Sequence, residues 1–519
     1  MIGYDVIRCS TEYIAEEMGI VLRNTAYSPN IKDRMDFSCA IVSETGELVA
    51  QAEHIPVHLG SLAVGAKRIV EEVDLDEGEV AITNDPYVAG THLNDVTMIE
   101  PVYHEGELLG YVVNKAHHVD VGGMAPGSMS MDARDLFAEG LVIPPVRFGE
   151  DVLKMILENV RVPKYTLGDL KAQIASLNVG VRRVKELVER YGVEEVRKAW
   201  EWAIDYTERY VRRKMEGMED FDEVGEDYVE WGDDLLNITV RISLKGDGMV
   251  VDFSGTHEQV DVPLNAVFGV TVASTSFALK AVIDPQLPMN YGFLKAVKIL
   301  APKGSLVNPV KPAPVSAGNV ETSQRIVDAI FKALASRFEI PAASHGSMNN
   351  VIIGGEGWAF YETIGGGSGA RPNGDGVDGV HVNMTNTMNT PVEVIEREYP
   401  ILILEYSLRE NSGGKGKFRG GLGIRRIYKL LSDATVSIIA DRVRVAPWGL
   451  KGGEDGMRGE HYVIRDGKRT DLSGKDTVRL KKGDVLVVNT PGGGGYGDWR
   501  ERDAELIRRD LEDGKEVIP

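Results

Sequence analysis

The chain has 519 residues, of which 58 are Lys or Arg and 79 are Asp or Glu, so its formal net charge is −21. This length predicts several packed domains, because single hydrophobic cores stop growing at about 250–300 residues. The charge disfavours a nucleic-acid partner, since binding phosphates requires clustered Lys and Arg, and no apolar run approaches the ~20 residues needed to cross a membrane.

The cysteine count and the N-terminal residues concern the cellular compartment. Cys9 and Cys39 are the two cysteines of the sequence, too few for a disulfide framework or an all-cysteine zinc site. Residues 1–5 lack the basic stretch and apolar core of a secretory signal. Together these features predict a cytoplasmic protein.

The N-terminal part alternates between helical and strand patterns. Apolar residues at helical spacing begin the chain, and they are Ile7, Ile14, Met18, Val21 and Leu22. Residues 38–43 and 48–52 predict two strands joined by a hairpin turn at 44–47. Ser61 is a candidate cap for the next helix, and residues 168–216 carry two longer helical patterns.

The rest of the chain is predicted to contain more strands and turns. An acidic segment at 219–227 has the composition of a linker, and residues 236–253 alternate as strands do. Asn319 is a candidate cap for a further helix, whose start suits either ordinary capping or an anion site. Glycine is concentrated after about residue 350, which predicts turns and short strands. We therefore predict a mixed α/β (α+β), multi-domain fold with an N-terminal α/β domain (1–220), a central α+β domain (221–340) and a Gly-rich, mainly β domain (341–519).

The densest group of metal-type side chains lies in a predicted β-hairpin at residues 92–120. Its two strands are separated by a turn at Glu105-Gly106. Pairing about that turn sets residues whose numbers sum to about 211 opposite each other. Asp95 then lies beside Ala116 and His117.

These side chains are able to share one divalent cation. Cross-strand neighbours lie about 5 Å apart, so His92, Asp95 and one later histidine can meet around an ion. Imidazole plus carboxylate suits Zn, Mn or Fe. Because side chains alternate along a strand, His117 and His118 point to opposite faces, and the pattern leaves the choice between them open. The alternative is that these histidines are hydrogen-bonded side chains at the end of a sheet.

Two neighbouring groups bear on this site. Asp33 and Asp36 precede the first strand, and a metal held by imidazoles and one carboxylate commonly recruits another oxygen ligand. His54 and His58 have helical spacing, but Pro56 between them disfavours a regular helix. A structural role is therefore favoured for these two histidines.

Short motifs follow one another along nearly the whole chain. They are NDPY (84–87), THLND (91–95), HHVDVGG (117–123), PGS (126–128), DFSGT (252–256), GNVETSQR (318–325), RGGLG (419–423) and PGGGGYG (491–497). In this order they resemble the hydantoinase B family, which includes the N-methylhydantoinase B subunit, the matching half of 5-oxoprolinase and the α subunit of acetone carboxylase.

The resemblance implies a division of labour between two subunits or two halves of a fused chain. An A-type (hydantoinase A-like) ATPase partner binds ATP and phosphorylates the substrate, and the B component completes the reaction at a metal site. The implied metal ligands are Asp36 (or Asp33), His92, Asp95 and His117, and the implied catalytic or supporting residues are His118 and Asp120. The sequence lacks a Gly-x-x-x-x-Gly-Lys-Ser/Thr phosphate loop, which agrees with a separate nucleotide-binding subunit.

The expected protein is the B subunit of a hetero-oligomeric, ATP-dependent hydrolase of cyclic amides such as a hydantoin or 5-oxoproline. A ring amide is a poor electrophile, and phosphorylation of its carbonyl oxygen creates a good leaving group before water activated by the metal attacks. One alternative is a subunit of an ATP-dependent ketone carboxylase built on the same framework. The other is a scaffold that positions the ATPase partner without performing chemistry.

Overall fold

The structure, a computed structural model, describes residues 2–52, 54–58 and 60–516. The chain forms two compact units, and they comprise residues 1–128, 133–224 and 239–319 in the first unit and residues 129–132, 225–238 and 320–519 in the second. Helices and several sheets are both present, which confirms the predicted mixed α/β, multi-domain class. The three-part division at residues 220 and 340 stays a prediction, because a compact unit need not coincide with a domain that folds alone.

The elements are numbered in chain order. The α-helices are α1 (Ile2–Thr25), α2 (Pro29–Lys32), α3 (Ser61–Glu72), α4 (Pro86–Ala89), α5 (Leu136–Glu139), α6 (Glu150–Asn159), α7 (Pro163–Tyr191), α8 (Val193–Glu216), α9 (Phe268–Ile283), α10 (Tyr291–Ala296), α11 (Ser323–Leu334), α12 (Val392–Glu398) and α13 (Ala504–Glu512). Within the described part of the chain, none of these helices combines the length and apolarity that crossing a bilayer requires.

The β-strands of the described residues form four sheets. They are β1 (Phe37–Ser43), β2 (Leu48–Ala52), β3 (Ala81–Thr83), β4 (Asp95–His104), β5 (Glu107–His117), β6 (Val146–Arg147), β7 (Phe221–Trp231), β8 (Asp234–Lys245), β9 (Gly248–Asp252), β10 (Val297–Leu300), β11 (Asn350–Gly355), β12 (Trp358–Glu362), β13 (Ile401–Leu408), β14 (Ile424–Leu430), β15 (Ala434–Ile439), β16 (Glu460–Arg465), β17 (Lys468–Leu472), β18 (Lys475–Leu480) and β19 (Val485–Asn489). A four-stranded sheet has the order β10-β9-β8-β7.

A six-stranded sheet organises the first unit. Its order is β2-β1-β5-β4-β3-β6, and the β4–β5 hairpin lies at its centre. Side chains alternate between the two faces of β5: Val113 belongs to the core formed with α3, whereas a Cβ added at Gly180 of α7 would contact Val112. Helices therefore cover both faces, which explains the nearly continuous apolar run of β5.

Three local sequence predictions are corrected by the structure. The acidic segment at 219–227 lies mostly in β7 and is not a linker; its Asp227 is buried and pairs with Arg442 (Oδ2 to Nη2, 2.8 Å). Gly60 caps α3, and Ser61 is the first helical residue. Asn319 lies in a π-helical turn that precedes α11, so it does not cap that helix or free its first amides for an anion.

The Gly-rich segments of the second unit pack backbone against backbone. Gly367 donates to the Pro491 carbonyl (3.0 Å), Gly421 to Ser368 (2.8 Å) and Gly493 to Gly421 (2.9 Å). A Cβ at Gly367 would overlap the carbonyl oxygen of Gly421. Glycine is therefore needed for close approach between extended segments, in addition to the turns that the sequence predicts. Two sheets accompany these segments, with the orders β12-β11-β15-β18 and β13-β14-β19-β16-β17.

Glu100 in β4 makes the stability of the protein depend on pH. Burial raises the pKa of Glu100 to about 7, although Lys185 lowers it in part, whereas the ordinary value is 4.5. The stability contribution of the protonated group is therefore complete below pH 4.5 and is lost as the pH rises through about 7. We expect Glu100→Gln to raise the melting temperature at pH 8 and to leave it nearly unchanged at pH 4. Thermal melts of both proteins at the two pH values test this, and an equal difference at both would contradict it.

Candidate metal centre

The β4–β5 hairpin sets the geometry of the site. Its turn lies at Glu105-Gly106 as predicted, where both residues have positive φ (51° and 83°), the conformation of the tight turns that favour hairpins. The register shifts by one residue between Val102 and Tyr103. Asp95 is consequently paired directly with His117, where the prediction placed it beside both Ala116 and His117.

Three ligand atoms converge at the open end of the hairpin. His92 Nε2 lies 3.1 Å from His117 Nδ1 and 3.3 Å from Asp95 Oδ1, and His117 Nδ1 lies 3.2 Å from the same Asp95 oxygen. All three residues are at most 2% exposed. Ligands of a metal with bonds of about 2.1 Å lie roughly 3.0–3.4 Å apart in tetrahedral or octahedral arrangements. The three atoms therefore fit one divalent ion.

Hydrogen bonding and charge agree with this fit. His92 Nδ1 donates to the Ser316 carbonyl at 3.3 Å, which leaves Nε2 of a neutral ring with its lone pair toward the cluster. Burial alone would raise the pKa of Asp95, but His92, His117 and His58 together hold it well below its usual value. A buried carboxylate anion is thus surrounded by imidazoles, an arrangement that a cation stabilises.

His58 also contacts Asp95, although the sequence favoured a structural role for it. His58 Nε2 lies 3.4 Å from Asp95 Oδ2, and its Nδ1 lies 3.0 Å from Ser38 Oγ. Pro56 does prevent a regular helix, but it begins a short 3-10 turn that ends at His58. His54 lies apart from the cluster, with its ring centroid 4.5 Å from that of Phe37.

Lys115 is a second residue that sequence reasoning missed. Its ammonium group is buried and donates to the Ala89 carbonyl (2.8 Å), Ser61 Oγ (3.3 Å) and Thr91 Oγ1 (3.3 Å). Burial lowers its pKa to about 8. A lysine in a strand with a long apolar run was the available signal, because buried lysines are rare without a specific set of partners.

The structure places His118 and Asp120 away from the three converging atoms. His118 Nε2 lies 2.9 Å from Gln173 Oε1 of α7, on the other side of the strand from His117 as alternation requires. Asp120 accepts hydrogen bonds from the backbone of Gly127 (3.0 Å) and from Arg161 Nη1 (3.0 Å). These contacts suit residues that hold loops in place, and the catalytic roles implied for them stay predictions.

The two candidate acidic ligands also differ in position. The backbone N–H of His117 donates to the carbonyl of Asp36 at 3.0 Å, so Asp36 lies next to the cluster. Asp33 is half-buried at the end of α2, and the charges that act on it belong to Lys32 and Arg23. Of the two, Asp36 is the better candidate for a further oxygen ligand.

Comparison with known proteins decides the family. Residues 1–499 match the Hydantoinase B/oxoprolinase family. The chain belongs to this family. The resemblance predicted from the ordered motifs is thereby confirmed.

Relatives within the Hydantoinase B/oxoprolinase family match most of the chain. An uncharacterized protein of Methanocaldococcus jannaschii is 62% identical over 99% of this chain and 93% of its own length. A 5-oxoprolinase of Dictyostelium discoideum is 37% identical over 93% of this chain, which spans 39% of that protein. A candidate B subunit of a D-/L-hydantoinase from Pseudomonas sp. (strain NS671) is 33% identical over 99% of this chain and 92% of its own length.

Two solved structures share the fold of this chain. An ATP-dependent caprolactamase from Pseudomonas jessenii superposes with a TM-score of 0.92 at 30% identity, over 100% of this chain and 94% of the other. An acetone carboxylase superposes with a TM-score of 0.88 at 18% identity, over 99% of this chain and 78% of the other. At that lower identity the likeness shows the fold alone.

Proposed function

We propose that this chain is the B subunit of an ATP-dependent cyclic-amide hydrolase and that it works in the cytosol with an A-type ATPase subunit. The observation that carries the proposal is the convergence of His92, Asp95 and His117. The lengths of two relatives support a separate ATPase partner. The 5-oxoprolinase contains, beside the part that matches this chain, a further stretch that is longer than this chain and has room for an ATPase half. The candidate hydantoinase B subunit has nearly the same length as this chain, which agrees with an ATPase on a separate subunit.

His92, Asp95 and His117 would hold a divalent ion of Zn, Mn or Fe type, with Asp36 as a further oxygen ligand. Such an ion polarises a carbonyl or phosphoryl oxygen and lowers the pKa of water. Asp95 supplies the negative charge of the site. Its Oδ2, the oxygen that is not shared by His92 and His117, lies 3.4 Å from His58 Nε2. All three ligands are buried, and a site closed to bulk water protects an activated substrate from unproductive hydrolysis.

The roles of His118 and Asp120 belong to the same proposal. Asp120 fixes the Gly-rich loop after β5 through backbone amides and Arg161. His118 ties the end of β5 to Gln173 of α7. We propose that both residues support the strand end that carries His117 and that they take no direct part in proton transfer.

The substrate class follows from the relatives. The 5-oxoprolinase and the caprolactamase are 37% and 30% identical to this chain, and both names refer to a cyclic amide. A hydantoin or 5-oxoproline is the proposed substrate, with ATP consumed by the partner. The ketone-carboxylase alternative has support from fold alone. A pure scaffold is disfavoured, because burying a carboxylate among imidazoles costs free energy that a bound cation would offset.

The test reconstitutes the chain with the A-type subunit that accompanies it. Ring opening of 5-oxoproline or a hydantoin is expected only with both chains and ATP, and elemental analysis is expected to find one divalent ion per copy of this chain. Ring opening by this chain alone without ATP would contradict the division of labour. Bicarbonate-dependent carboxylation of acetone would favour the carboxylase, and full activity with no bound metal would favour the scaffold.

A further inference from the structure

The buried carboxylate of Glu139, which lies outside the metal cluster, binds the main chain at residues 315 and 316. Glu139, the last residue of α5, is 1% exposed. Its Oε1 accepts hydrogen bonds from the backbone N–H of Val315 (2.9 Å) and Ser316 (2.8 Å), and its Oε2 accepts from Val315 at 3.1 Å. Burial raises the pKa of Glu139 to about 7, although these backbone N–H groups lower it in part. The ionised carboxylate makes such bonds roughly twice as strong as a neutral acceptor does. This side chain therefore orients the two peptide groups that contain the N–H of Val315 and the N–H of Ser316.

The same segment holds the imidazole of His92. The carbonyl of Ser316 accepts the hydrogen bond of His92 Nδ1 at 3.3 Å. Glu139 thus binds the amide side of Ser316, and Ser316 presents its carbonyl to His92. The hydroxyl of Tyr87 donates to the Ala313 carbonyl at 2.7 Å, so the segment has an independent anchor that does not lead to His92.

We propose that Glu139 is a positioning residue of the metal centre: by binding the N–H of Ser316 it holds the residue whose carbonyl fixes the orientation and tautomer of His92, and so it tunes the affinity for a divalent ion. This inference rests on the proposed metal site. A metal-ligating histidine commonly donates its other ring N–H to a carbonyl, and loss of such an outer partner costs about 10–100-fold in affinity. Here the residue that supplies the carbonyl is itself held, through its backbone N–H, by a carboxylate.

The test compares Glu139→Gln with two variants that disturb the same elements without touching Ser316. The side chain of Asp135 caps α5 by accepting from Ala138 N (2.9 Å), so Asp135→Ala removes this cap and weakens α5 itself. Tyr87→Phe removes the independent anchor of the 313–316 segment. Co²⁺ affinity by chelator competition, the visible spectrum of bound Co²⁺ and the melting temperature are measured for all variants and for the unaltered full chain.

Glu139→Gln is expected to weaken Co²⁺ binding about 10–100-fold and to change its visible spectrum, because the amide NH₂ opposes a backbone N–H. The two control variants are expected to bind Co²⁺ within about 3-fold of the unaltered chain, even where they melt earlier. If Glu139→Gln fails to fold, Glu139→Asp, which keeps the charge on a shorter side chain, is expected to show the same weakening to a smaller degree.

Three other outcomes would contradict the positioning role of Glu139, and one of them would also contradict the metal site. Unchanged Co²⁺ affinity and spectrum in the Glu139 variants would overturn the positioning role and leave the metal site standing. Equal losses in the two controls would do the same, because a general loss of stability would then explain the effect. If the unaltered chain binds no Co²⁺, the metal site of the proposed function fails first, and the role of Glu139 fails with it.

Discussion

Asp95→Asn is expected to abolish metal binding and to lower the ATP-dependent ring opening of the reconstituted pair by more than about 100-fold. One Asp95 oxygen lies within 3.3 Å of both cluster nitrogens, of His92 and His117, and the other lies 3.4 Å from His58. An amide removes the negative charge that the imidazoles surround. The loss should exceed the roughly 10–100-fold effect of an outer partner, since Asp95 is itself a proposed ligand.

Metal content and kcat of the purified variant measure the effect. Asp76→Asn is the matched control, because it makes the same chemical change at an exposed position after α3 and is expected to leave both quantities unchanged. Retention of bound metal and activity by Asp95→Asn would refute the proposed centre. Loss of activity with retained metal would instead assign Asp95 a role other than ligation.

Gly493→Ala is expected to destabilise the second unit by about 3 kcal/mol or more, a value typical of severe overpacking. The added Cβ would overlap the carbonyl oxygen of Ser368. The glycine backbone cannot move aside easily, because its N–H donates to Gly421 (2.9 Å) and its carbonyl accepts from Gly414 (2.8 Å). A decrease in melting temperature of roughly 6–12 °C is expected for a unit of this size.

Gly374→Ala provides the control within the same unit. The nearest atom to a Cβ at Gly374 is Arg371 Nη2 at 3.5 Å, an ordinary contact with a flexible side chain. Its melting temperature is expected to remain within about 2 °C of the unaltered protein, since surface substitutions usually change stability by less than about 0.5 kcal/mol. Similar decreases for both variants would contradict the backbone-packing explanation.

The candidate site was largely accessible from the sequence because a hairpin is a local structure. A recognisable turn at Glu105-Gly106 and strict alternation predicted which strands pair and which residues meet. The one-residue shift between Val102 and Tyr103 was not predictable, since a bulge depends on packing around both strands. That shift gives Asp95 its direct pairing with His117.

Two further residues near the site were harder to predict. His58 contacts Asp95, but it lies far from the hairpin in the sequence and follows a proline. Lys115 contacts Thr91, in the turn before His92, but it lies in a mostly apolar part of β5. The 219–227 segment was misjudged for a related reason: an acidic composition predicts solvent exposure, but Asp227 is buried with Arg442 as its partner.

The sequence by itself determined the family, the mixed α/β class, the hairpin and the identity of His92 and Asp95 as ligand candidates, because these depend on motif order and on local periodicity. The tertiary structure decided that His117 rather than His118 joins them, that His58 contacts Asp95, and that the glycines separate closely packed backbones. Those outcomes depend on which face a distant helix or loop covers, and contacts between segments far apart in the chain leave no periodic signal in the sequence.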